Sequence, residues 1–174
     1  MSSETSVRLI NSHGLDLSLT CGINALIAEA VVERNGENQV DYSVKHLNIN
    51  RADDIIEETV DEAVGDALAK IGAGLVPTGK YNVVFHSKQM SSMLAVFSSA
   101  FSAKAALDGM SKLKGKEGEK IASDIVTITD DPQRDGNTVG TNFDAEGVAA
   151  YRKAVVENGV LKTLLYNRET AAVA

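Results

Sequence analysis

The sequence predicts an α+β fold: an antiparallel β-meander covered by a helix, then a strand–helix–strand unit and a C-terminal β-hairpin. Three observations predict it. Residues 7–46 hold runs of alternating apolar and polar side chains separated by turn-forming residues, the period of half-buried strands. Residues 53–71 repeat their apolar positions every three or four residues, the period of a helix lying on a sheet. Asn-Gly occurs at 35–36 and again at 158–159, each time between apolar runs, and this pair favours the tight turn of a hairpin.

The elements follow in order. Val7, Leu9 and Ile10 lead into the turn cluster Asn11-Ser12-His13-Gly14, after which Leu15, Leu17 and Leu19 alternate with polar residues. Residues 25–34 have helix-forming composition, but the Asn-Gly that follows and the alternation of Val40, Tyr42 and Val44 beyond it assign them to a strand. The apolar phase flips at Leu47 and Ile49, which suggests a bulge. Residues 53–71 follow as the covering helix, its stripe made of Ile56, Val60, Ala63, Val64, Ala67, Leu68 and Ile71. Asp53, Asp54, Glu57 and Glu58 favour its positive end, and Gly72 and Gly74 can end it. A loop over 72–79 marks the internal boundary, dividing the chain into 1–76 (meander and helix) and 77–174 (strand–helix–strand and hairpin). Residues 81–85 read as a buried strand, and Met90, Met93, Leu94, Phe97, Phe101 and Ala105 mark a second amphipathic helix. A lysine-rich loop over 112–120 precedes a strand at 125–129, a polar loop over 133–141, and a hairpin whose arms flank Asn158-Gly159. Both ends read as cut from something longer.

Composition narrows the function. Hydrophobic residues make up 44% and charged residues 24%, a balance that supports a packed core rather than wholesale disorder. With 17 basic and 24 acidic residues the net charge is −7, which argues against non-specific nucleic-acid binding and against an anionic membrane surface. No apolar run is long enough to span a bilayer, and the N-terminus has no signal-peptide pattern. One cysteine, Cys21, excludes an intrachain disulfide and fits a reducing, cytoplasmic setting.

The last third carries the most specific pattern. Asp130-Asp131-Pro132, then Asn142-Phe143-Asp144-Ala145-Glu146-Gly147-Val148, then Glu157-Asn158-Gly159-Val160-Leu161 resemble, in that order and spacing, the TldD/PmbA family of metallopeptidase-related proteins, also described as modulators of DNA gyrase. The stretch Ser111-Lys112-Leu113-Lys114-Gly115-Lys116-Glu117-Gly118-Glu119-Lys120-Ile121-Ala122-Ser123 matches a further landmark of that family. The resemblance implies that this chain is well under half of a typical member, which also has an N-terminal segment and a β-rich C-terminal domain.

The metal-bearing branch of the family places His-Glu-x-x-x-His on the helix after the strand that matches 81–85. Two imidazoles on one helix could hold zinc, and the glutamate could act as general base. The corresponding positions here are Ala95, Val96 and Ala100, and the sequence from 87 to 107 contains no His, Cys, Asp or Glu. The chain is therefore similar to the metal-free PmbA (TldE) branch. That likeness implies no catalytic residue and no metal ligand in this chain. It implies zinc only in a metal-bearing partner, and a heterodimer with that His-Glu-x-x-x-His relative, with self-association as a further possibility. The implied substrate is an unfolded or modified peptide, cleaved in the maturation of a peptide antibiotic or the turnover of an antitoxin.

The remaining chemistry-bearing residues give weaker signals. Asp130, Asp131, Asp144 and Glu146 form one carboxylate set. They read either as acid–base or cation-binding groups in a cleft, or as turn residues that bond their own backbone, and their occurrence in both branches favours the turns. His13, His46 and His86 share no ligand spacing. Cys21 has no basic neighbour in sequence to activate it, and the Ser91-Ser92 and Ser98-Ser99 pairs lack a nucleophile elbow. The lysine-rich loop lacks the full phosphate-binding pattern and reads as a solvated charged loop. Two alternatives to the subunit reading stay open: a stand-alone binding protein acting on gyrase or a toxin–antitoxin pair, and a hydrolase that uses the carboxylates.

Overall fold

The computed structural model describes residues 2–46, 52–132 and 140–173. The chain divides into two compact units. One comprises Met1–Gly79 and Pro132–Ala150, the other Lys80–Asp131 and Tyr151–Ala174. Pro132–Ala150 groups with the first unit although it follows Lys80–Asp131 in sequence.

The first unit is built on a three-stranded antiparallel sheet, β1 (Ser2–Ile10), β2 (Asp16–Arg34) and β3 (Glu37–His46), in that order. The long β2 serves two partners. Its first half pairs with β1, from Ser2↔Asn24 to Ile10↔Asp16. Its second half pairs with β3, from Ala25↔His46 to Arg34↔Glu37. The strand assignment for residues 25–34 therefore holds, and it joins the preceding run without a break. Asn11 closes the first turn by accepting from the amides of His13 (2.9 Å) and Leu15 (3.1 Å) through Oδ1. Asn35 and Gly36 close the second with φ of 53° and 82°, the positive pair that a type I′ turn requires. The bulge expected at Leu47 and Ile49 lies outside the described residues.

Helix α1 (Ala52–Ala69) covers β2 and β3. Its buried seat shares only Ala63 and Ala67 with the stripe that the spacing predicts. The buried positions are Thr59, Ala63 and Ala67, while Ile56 (49% exposed), Val60, Val64 and Leu68 line a ridge facing away. Small side chains let the helix backbone approach the sheet, and polar bonds fix it there. Buried Ser43 donates to Glu62 (2.9 Å), and Lys45 bridges Glu58 (2.9 Å) and Glu62 (2.7 Å). At the far end, the amide of Gly72 donates to the carboxylate of Glu37 (3.1 Å to each oxygen).

The second unit contains α2 (Ser87–Phe97), a 3₁₀ turn over Ser98–Phe101, α3 (Ala103–Leu107), and a sheet of β4 (Ile128–Asp130), β5 (Lys153–Glu157) and β6 (Val160–Leu161), followed by α4 (Arg168–Ala171). Its core is Ala103, Ala106, Val155, Val156, Leu161 and Leu164, flanked by Phe101, Leu113, Ile121, Ile128 and Leu165.

Two expectations fail in this unit. Residues 81–85 are not a buried strand: Val84 is 96% exposed, and none of them belongs to a strand ladder among the described residues. A strand needs a partner to satisfy its backbone, and the apolar run alone does not supply one. The second helix is not continuous either. Ser98 donates its hydroxyl to the carbonyl of Ala95 (2.7 Å), and Ser102 caps α3 by accepting from Ala105 N (3.4 Å). Serine hydroxyls compete for helical backbone groups, and here they break the helix into three pieces.

Candidate functional site

The acidic motif residues fall into two settings. Asp130 ends β4 and pairs with Lys153 (2.9 Å), whose ammonium also lies 4.9 Å from the Tyr151 ring centroid. Asp131 pairs with Arg152 (3.1 Å). Both pairs tie the end of β4 to the start of β5 within one unit. Asp144 and Glu146 belong to the other unit. Oδ1 of Asp144 accepts from the amides of Glu146 and Val148 (2.9 Å each), and Asp144 N donates to Val148 O (2.9 Å). With the bridge between Phe143 and Ala149, these bonds make residues 142–149 a closed turn. Gly147, at φ 77°, presses against the side chains of Leu15 and Leu9; a Cβ there would stand 2.5 Å from Leu15 Cδ2. The carboxylate of Asp144 is thus already committed to its own backbone, the chemistry of an Asx turn.

The positions expected to correspond to the metal motif carry no donor. Ala95 and Val96 are exposed on α2, and Ala100 sits in the 3₁₀ turn, where its carbonyl accepts from Ser111 Oγ (2.6 Å). His13 lies in the first turn, His46 ends β3, and His86 caps α2, accepting from Lys88 N (3.4 Å) through Nδ1. Among the described residues no three His, Cys, Asp or Glu side chains gather to hold a metal ion. Half-buried Cys21 lies within β2 opposite Thr5.

Glu117 and Ser111 are the residues whose part the sequence did not reveal. The lysine-rich loop exposes most of its charged side chains, yet its backbone is stitched to the hairpin. Gly118 N donates to Leu161 O (2.8 Å), Leu161 N to Glu119 O (3.0 Å), and Ile121 N to Gly159 O (2.8 Å). Glu117 accepts from Leu164 N (2.9 Å) and from the Tyr166 hydroxyl (3.1 Å). Burial raises the Tyr166 phenol above its ordinary value, and its bond to Glu117 adds to the rise. Ser111 is buried, donates to Ala100 and accepts from Leu113 N (3.2 Å). The Ser111–Ser123 landmark supplied the signal. Two of its polar residues organise the loop against the core.

The chain thus has a meander-and-helix unit, which also carries the closed acidic turn, and a small mixed unit. The sequence pattern of the PmbA/TldA metallopeptidase C-terminal domain matches residues 78–174. A protein from Methanothermobacter thermautotrophicus named metalloprotease is 34% identical over 97% of this chain and 38% of its own length. The crystal structure of a proposed modulator of a DNA gyrase from Thermotoga maritima superposes with a TM-score of 0.86 at 30% identity, over 99% of this chain and 40% of that one. The crystal structure of TldE from Thermococcus kodakarensis gives a TM-score of 0.75 at 25% identity, over 99% of this chain and 39% of that one. The chain belongs to the PmbA/TldD family. It spans about two fifths of the length of these relatives. Among the described residues no helix is long and apolar enough to cross a membrane.

Proposed function

We propose that this chain is a segment of the non-catalytic subunit of a PmbA/TldD-type heteromeric metallopeptidase that processes or degrades peptides in the cytoplasm. One observation carries the reading. Residues 87–107, which match the metal-bearing helix of the other branch, contain no His, Cys, Asp or Glu and cannot ligate zinc. In this reading zinc and the general base belong to a His-Glu-x-x-x-His relative, and this chain shapes the cavity that holds an unfolded or modified peptide. The committed state of Asp144 also supports it, because a carboxylate bonded to two of its own backbone amides is poorly placed to move a proton.

The test is a pull-down of the full-length parent protein from its own cells, with bound proteins identified by mass spectrometry. The expected result is a metal-motif relative in the eluate. Its absence, with the bait folded and abundant, would overturn the subunit reading. The gyrase-modulator description of the Thermotoga relative favours the second reading, a stand-alone regulatory protein. Direct binding to gyrase or to a toxin–antitoxin pair without such a relative would support it.

A further inference from the structure

Among the described residues β3 is an edge strand of the three-stranded sheet. Residues two apart in an antiparallel strand point their backbone groups toward the same side. Val40 and Tyr42 are such a pair, at the centre of the ten-residue β3. Both of these residues have a backbone group bonded to a side chain. The carbonyl of Val40 accepts from Lys70 Nζ (2.9 Å), and the amide of Tyr42 donates to Asp41 Oδ1 (2.7 Å). Lys70 and Asp41 also pair with each other (3.1 Å). Asp41 is only 22% exposed, as Asp41 and Ser43 alternate onto the face that α1 covers.

The strand that these two side chains occupy is a hazard without them. Gln39-Val40-Asp41-Tyr42-Ser43-Val44 holds one charge, two β-branched residues, one aromatic and no proline, the composition of a segment that stacks with copies of itself. The face of the hairpin away from α1 carries exposed Ile27, Val31, Val40, Tyr42 (60% exposed) and Val44. The pairings Ile27↔Val44 and Val31↔Val40 gather them into one patch. A strand added at β3 would gain backbone bonds and extend that apolar patch, which is how exposed edges drive association.

We infer that the Asp41–Lys70 pair is an edge guard: by occupying Val40 O and Tyr42 N it keeps β3 from pairing with the β3 of a second copy. The charge tucked beside the strand and the lysine laid across its edge are the two devices that blunt such edges.

The test uses the 174-residue chain with Asp41→Ala and Lys70→Met together; methionine keeps the lysine stem and removes the donor. Light scattering after size exclusion gives the association state, and circular dichroism gives the fold. Two restored inter-strand hydrogen bonds should lower the concentration at which association begins roughly tenfold or more. Lys70→Met alone should fall between parent and double variant. Adding Tyr42→Lys to the double variant places a charge on the exposed face of the strand and should return it to the parent's association state. A folded double variant that associates no more than the parent would overturn the guard. So would association that Tyr42→Lys fails to reverse, because it would come from unfolding rather than from the edge.

Discussion

Gly36 and Gly159 hold the same place in the same kind of turn, yet their surroundings separate them. Each follows an asparagine with positive φ, and each has positive φ itself, 82° and 77°. Around Gly36 there is open space; a Cβ on Gly159 would meet the carbonyl of Ala122 and stand 2.7 Å from the carbonyl oxygen of Ser123. Those atoms are backbone and cannot rotate aside. Gly36→Ala should therefore cost only the conformational strain, about 1 kcal/mol, and Gly159→Ala about 2–4 kcal/mol, as read by urea unfolding. Equal costs would mean that the loop over the hairpin yields easily. Glu117 makes a second residue-scale case. Glu117→Ala leaves the amide of buried Leu164 without its acceptor and should cost about 1–3 kcal/mol. Its neighbour Tyr166 has a pH signature. Its folded-state value lies above the ordinary 10.0, so the neutral phenol is favoured by folding. The stability this gives is fully present below pH 10 and is lost as pH rises through the folded value. Ultraviolet titration of the four tyrosines should show a late-ionising component that disappears in Tyr166→Phe.

The seat of α1 shows where sequence periodicity stops being informative. Ala63 is buried at the helix–sheet contact, whereas Val64 lies on the outward ridge. Ala63→Leu should push the helix off the sheet and cost about 1–3 kcal/mol, while Val64→Ala should stay within about 0.5 kcal/mol. The reverse order in thermal unfolding would mean that the large apolar residues face the sheet after all. The sequence located this helix because its period is 3.6. It placed Ala63 and Ala67 correctly but not the larger side chains, because the rest of the seat is Thr59 and the bonds of Glu62, which raise no apolar signal. Both hairpins were legible because Asn-Gly specifies a backbone conformation, a local property. The failure at residues 81–85 has the opposite cause. A buried strand is defined by its neighbours, and an apolar run names none. The candidate site divides the same way. The turn chemistry of Asp144 could be read from Asp and Gly in close succession, but the ion pairs of Asp130 with Lys153 and Asp131 with Arg152 join residues distant in sequence.

For the molecule as a whole the sharpest question is whether a metal is part of its structure. Zinc contributes to folding where three or four donors converge, and chelation then lowers stability directly. Here the helix that would carry the donors has none from 87 to 107, and the three histidines sit on separate elements: a turn, the end of β3 and the cap of α2. Dialysis against a chelator should therefore leave the Tm of this chain unchanged, and re-addition of zinc should neither raise it nor leave bound metal after gel filtration. A chelator-dependent fall in Tm would show that donors assemble from residues outside this helix, and the proposed division of labour between two subunits would lose its basis. An unchanged Tm combined with peptidase activity that appears only on mixing the full-length parent with a metal-bearing relative is the result the subunit reading requires. The same mixture separates the third possibility. Asp144→Asn or Glu146→Gln in the full-length parent should leave that joint activity unaltered, because Asp144 closes a turn and, in the proposed reading, the metal chemistry would belong to the partner. Loss of activity with the turn intact would instead make these carboxylates catalytic.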